Sequence, residues 1–198
     1  MAGILDLMNS DLGKTLVSGM SQQLGQKEDK TASAVSAAMP MILAALKRNA
    51  ATPEGAKGLM GALDKKHDGS ILDNLGSLLG KKEVEDDGAG ILKHVFGAQK
   101  EERVAQAVSK SSGMDLASTM RILKMAAPVV MGYLGKQKRQ NNVSDSAGIG
   151  NILGGLLGSQ ANQQQSMIEK LLDSDGDGSI VDDVAGMGMK FLGGLFKK

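Results

Sequence analysis

Two prolines sit in the middle of apolar runs, where a helix tolerates them least, and each keeps the same company. Pro40 lies in Met39-Pro40-Met41-Ile42 and Pro128 in Ala127-Pro128-Val129-Val130, 88 residues apart. Gly25 and Gly113 are separated by the same 88 residues, and Leu16 and Met20 fall on Val104 and Val108 at that offset. An internal proline removes a backbone donor and crowds the preceding turn. Meeting that liability twice, in register with a helix-ending glycine, points to a duplicated helical unit. Pro40 is expected to kink its helix or to split it in two.

Helical spacing fills the rest of the first unit, residues 1–82. Ser10 or Asp11 caps a helix through Leu12, Leu16, Met20 and Leu24 that Gly25 ends. The next runs from about Asp29 to Asn49, with Val35, Ala38, Ile42 and Leu46 on one side. Thr52-Pro53-Glu54 restarts a helix with an N-cap and a first-turn proline. Ser70-Ile71-Leu72-Asp73 resembles a capping box opening a helix to about Leu79. Residues 83–90, acidic and Gly-rich, are expected as a linker. The second unit, 91–198, places helices around Val104 and Val108 and over roughly Leu116 to Lys138. A Gly-rich insertion follows at about 136–160. In it, Gly150, Gly154 and Gly158 have the spacing of a close helix–helix contact, or of a flexible, weakly helical segment.

One stretch reads as chemistry. In Asp173-Ser174-Asp175-Gly176-Asp177-Gly178-Ser179-Ile180-Val181-Asp182-Asp183, three carboxylates alternate before a glycine and an isoleucine. That is the front half of a twelve-position calcium loop: Asp173, Asp175 and Asp177 as ligands, Gly178 at the sharp turn, Ser179 through its carbonyl. Position 12, normally a bidentate glutamate, is Val184, so the loop must shorten to bring Asp183 onto the ion. An Asp/Gly turn without an ion is the plain alternative, and magnesium a third. A faded copy runs from Asp64 to Asn74, where Lys66 stands in place of the second carboxylate. It is expected to be metal-free, with the Lys66 ammonium neutralising Asp64 and Asp68. The basic run Lys136-Gln137-Lys138-Arg139 is expected as a solvated helix end.

Composition closes off whole classes. With 198 residues the chain is long enough to bury a core, but it has three Phe, one Tyr and no Trp, few platforms for stacking bases. Twenty-three basic residues against 22 acidic ones give no field to hold nucleic acid. Zero cysteines exclude disulfides and zinc–thiolate sites. His67 and His94 are the only histidines, and no nucleophile elbow or phosphate loop is present. The expectation is no enzyme and no organic cofactor. The first residues form no signal peptide and no stretch is long enough to span a bilayer, which makes the cytoplasm the default address. The C-terminal Met187–Lys198, apolar with a basic end, is expected to close the chain's own core, to bind a partner groove, or to lie on an anionic membrane surface.

The stretch from Ile91 to Gly135 resembles the YidB-like bacterial proteins, the group defined by bacterial domain of unknown function 937. The likeness rests on His94-Val95-Phe96-Gly97, Val104-Ala105-Gln106-Ala107-Val108, Ser112-Gly113-Met114 and the run from Leu123 to Gly135. The Asp-Gly-Asp-Gly-Ser stretch and the terminal Gly-Gly-Leu-Phe are similar too, so it covers nearly the whole chain. The resemblance implies orthogonal helix arrays in the repeating unit, and supplies no activity and no catalytic residues. The expectation is an all-α protein of two tandem related units, a bacterial structural or interaction protein. It associates with itself or another protein, and calcium stabilises its second unit. A peripheral membrane module using the C-terminal helix is the alternative.

Overall fold

The computed structural model describes residues 3–97 and 100–158. The turn with Asp173, Asp175, Asp177, Ser179 and Asp183, and the segment Met187–Lys198, lie outside the described residues. Those described form nine α-helices and one short 3-10 helix, with no strand among them. In order these are α1 (Ile4–Asn9), α2 (Asp11–Leu24), α3 (Glu28–Asn49), α4 (Pro53–Lys65), the 3-10 helix Ser70–Asn74, α5 (Leu75–Leu78), α6 (Lys82–Phe96), α7 (Glu101–Ser112), α8 (Leu116–Gln140) and α9 (Ser146–Leu157).

The two proline-bearing helices, α3 and α8, pack on each other at the centre. Every residue from Ala38 to Leu46 is buried, and so is every residue from Met125 to Gly135. A helix that is apolar all round has to be enclosed on all sides, and α1, α2, α6, α7 and α9 wrap this pair. Side chains from both halves, Met20, Ile42, Leu92, Leu123 and Ile149 among them, join a single apolar cluster.

Neither proline breaks its helix: α3 and α8 are continuous across Pro40 and Pro128. Each leaves the carbonyl four residues earlier without its helical donor. For Pro40 this is the carbonyl of Ser36, an exposed residue. For Pro128 it is the carbonyl of Lys124, against which α6 packs its Gly88; a Cβ at Gly88 would fall on that oxygen. Residues 83–90, expected as a linker, are thus helical, and Gly88 is there for close approach. The spacing of Val84, Gly88, Ile91, Leu92 and Val95 carries the helical signal that the glycines and acidic residues obscured.

Local details recur 88 residues apart. Helix α3 starts at Glu28 and α8 at Leu116. Gly25 (φ 62°, ψ 29°) and Gly113 (φ 65°, ψ 23°) end α2 and α7 in the left-handed region. The hydroxyl of Ser21 donates to the Gln26 carbonyl at 2.7 Å, and that of Ser109 to the Met114 carbonyl at 2.6 Å. Thr31 donates to the Lys27 carbonyl at 3.0 Å, and Thr119 to that of Asp115 at 2.8 Å. Each pair matches donor to donor and acceptor to acceptor.

The described part of the Gly-rich insertion is the end of α8 and the whole of α9. Ile149, Ile152, Leu153 and Leu156 bury one face of α9 in the core. Gly150 and Gly154 point away from it, and a Cβ on either would meet nothing within 4 Å. The close helix contact expected at these glycines is not made among the described residues, because isoleucine and leucine, not glycine, face the neighbouring helices.

Candidate functional site

Residues 66–74 leave α4 and lie across α8. Gly69 has φ 106°, a left-handed value that side chains rarely adopt. Asp68 locks the bend by accepting the Ser70 N–H at 3.0 Å, and this bond is the first cause holding its carboxyl below the usual range. Under the turn, α8 presents Gly132 and Gly135. A Cβ at Gly135 would land on the His67 carbonyl, and one at Gly132 on the Ile71 side chain. The turn can seat only on a stretch of α8 without side chains.

Cations from α8 then pin it. Lys138 Nζ lies 2.5 Å from Asp64 Oδ1, and Arg139 Nη1 lies 3.5 Å from Asp68 Oδ2. Lys66, expected to neutralise these two carboxylates, turns the other way and pairs with Asp87 of α6 at 2.6 Å. The run expected as a solvated helix end is therefore the counter-charge of the turn. Sequence reading missed it because the partners are over 70 residues apart, and only the docking of the turn on α8 brings them together.

Beside Lys66, the His67 side chain is buried, with Nε2 3.7 Å from Asp87 Oδ2. Burial is the largest influence on its pKa and lowers it; Asp87 pulls it up and Lys66 adds a smaller downward push. His67 is thus held neutral. The sign follows: an unfolded chain takes up this proton more readily, so stability is lost as pH falls below about 6.5. We expect the urea-unfolding free energy of the parent to drop between about pH 7 and 5, and the slope in that window to flatten in His67→Gln. Asp68, with its depressed pKa, acts in a separate and more acidic window. Equal slopes in parent and variant would remove His67 from the account.

Beyond this cluster, a groove of ≈ 780 Å³ is lined mainly by α4 and α6. Its floor is Leu59, Val95 and Met131, all buried. Its walls carry Gly58 of α4 and Gly90 of α6, where an added Cβ would meet nothing within 4 Å. Glu83, Asp86 and Asp87 form an acidic edge, and exposed His94 stands on the α6 side. Glu83 and Asp86 make no ion pair among the described residues, whereas Asp87 is held by Lys66. Smooth glycine walls, an apolar floor and a charged edge suit an amphipathic helix.

No group of three His, Cys, Asp or Glu side chains among the described residues is placed to hold a metal. No described helix is long and apolar enough to cross a membrane. Among the described residues, Leu116 at 37% is the one exposed large hydrophobic side chain.

A family model matches residues 6–137, two thirds of the chain. The chain belongs to the family described as "Bacterial protein of unknown function (DUF937)". No curated protein and no solved structure matches it. The matched span of this DUF937 protein runs from α1 into the last turn of α8. It holds the groove, the turn and both glycines beneath it, and stops one residue short of Lys138.

Proposed function

We propose that this DUF937 protein is a non-enzymatic interaction protein whose α4–α6 groove receives an amphipathic helix. The groove carries the reading. Its glycine walls admit a helix at close range, its floor supplies apolar contact, and its acidic edge selects a basic end. Self-association follows when the helix comes from a second copy. Light scattering over a concentration series tests this with the full chain. The parent is expected to gain mass as concentration rises toward the millimolar range. Gly90→Trp, which fills the groove from an exposed wall position, is expected to stay monomeric. A parent that never gains mass, or a variant that gains it equally, ends the reading.

The recurrence of caps, hydroxyl bonds and helix starts at a spacing of 88 supports two related units, α1–α3 with α4 and the Asp64 turn, then α6–α8 with the segment that follows. The contrast between the two turns bears on calcium. In the first turn Asp64 and Asp68 are paired with Lys138 and Arg139, and Lys66 stands where the second turn has Asp175. The second turn therefore carries three alternating carboxylates, and calcium, held by Asp173, Asp175, Asp177, the Ser179 carbonyl and Asp183, supplies the offsetting charge.

A further inference from the structure

We infer that the α4–α6 groove is a proton-gated site: near neutral pH it holds a basic helix, and in weak acid its two histidines, His67 and His94, take up charge and release that helix. The inference rests on the groove being a helix site and adds how that site is regulated.

The chain has two histidines and no cysteine. Imidazole is the side chain whose ordinary titration falls between pH 5 and 8, and both imidazoles of this protein line the same groove. They reach it from different elements. His67 stands in the turn that follows α4, and His94 lies on α6 two helical turns past Asp87, roughly 10 Å along the helix axis. One surface therefore collects every histidine of the sequence, and it is the surface whose acidic edge selects a basic partner.

The charge around the two rings fixes the sign. The lining carries three carboxylates of α6, Glu83, Asp86 and Asp87, against one ammonium, that of Lys66. Two protonated imidazoles cancel the negative excess that attracts a basic end. The other elements at the lining do not offset this, since α3 contributes Asn49 and α8 contributes Met131, neither of them charged. The cations of α8 near the turn, Lys138 and Arg139, are engaged by Asp64 and Asp68. His67 has a counter-ion at hand: Asp87 Oδ2 lies 3.7 Å from Nε2, while Lys66 Nζ holds Oδ1 at 2.6 Å. A proton on His67 thus claims Asp87 and leaves less negative charge for a partner. Burial makes this ring a weaker base than usual, so the helix-holding state is the one present near pH 7. Helix and proton compete for one surface, and affinity falls by up to about tenfold per pH unit for each proton taken up on release.

Sedimentation equilibrium of the full chain tests this at about pH 7.5 and at about pH 5.5, or at the lowest pH that leaves the helical circular dichroism unchanged. The self-association constant of the parent is expected to fall about tenfold or more between the two. His94→Gln, at an exposed position, is expected to keep part of that fall. His67→Gln combined with His94→Gln is expected to associate as the parent does near neutrality and to lose most of the response to acid. Reciprocity gives a second reading on the same chain: the ring signals of both histidines are expected to titrate at lower pH in concentrated than in dilute protein. Association that acid leaves unchanged, or weakens equally in the doubly substituted chain, overturns the gating while the helix site stands. No association at either pH ends the helix site and the gating with it, and the comparison of Gly90→Trp with the parent near neutrality decides the helix site independently.

Discussion

Gly135→Ala is expected to destabilise the protein by about 3 kcal/mol, close to the upper end of the usual cost of overpacking. For a chain of this size that is a fall in Tm of roughly 6–12 °C. The sign runs against helix propensity, since alanine in place of an interior helical glycine should gain about 1 kcal/mol. Packing wins here because the Cβ would fall on the carbonyl of His67, and backbone cannot rotate out of the way as a side chain can. The turn must then lift from α8, which also separates Asp64 from Lys138 and Asp68 from Arg139. Gly61→Ala is the internal control. It is a helical glycine of α4, outside the groove, whose added Cβ meets nothing within 4 Å, so it should gain about 0.5–1 kcal/mol. Thermal unfolding followed by circular dichroism distinguishes the two. A Gly135→Ala chain as stable as Gly61→Ala would mean that the turn is not seated as described.

Calcium titration should give the other large effect, a measurable heat in the parent and none in Asp173→Ala. The affinity is expected in the weak range of about 10⁻⁴–10⁻³ M, because position 12 of the loop is Val184 and Asp183 stands one place early. Binding also raises stability by mass action, so Tm of the parent should climb with calcium while that of Asp173→Ala stays flat. No heat at millimolar calcium would leave an Asp/Gly turn without a metal.

Helix starts and stops were legible wherever a single residue type is forced by backbone geometry. Gly25 and Gly113 have positive φ, Thr52 caps α4, and Ser10 caps α2 by accepting the Gly13 N–H at 3.3 Å. Legibility failed where the reason for a residue lies on another element. Gly88 looks like a linker glycine until the Lys124 carbonyl, released by Pro128, is set against it. Lys66 looks like the neutraliser of its own turn until Asp87 of α6 stands 2.6 Å away. Ser70–Asp73 suggested the start of a helix to about Leu79; the chain instead makes a 3-10 turn and then the single turn of α5, because Ile71 and Leu72 must sit over Gly132. The groove was invisible in the sequence for the same reason. Its two walls are ordinary amphipathic helices, and only their placement beside each other over Met131 makes a groove.

The seating of the Asp64 turn also sets a timetable. Asn74 ends the turn, and Gly135, which the turn needs beneath it, comes about sixty residues later in the chain. At translation speeds of about 5–20 residues per second, roughly 3–12 s pass before the newly made first half can complete its own last turn. Early in that interval the glycines of α4 and Leu59 beside them have no α6 to close on, and until its end they have no complete α8. A nascent chain of this architecture cannot finish its first half first, and its vulnerable period on the ribosome lasts until the second long helix emerges.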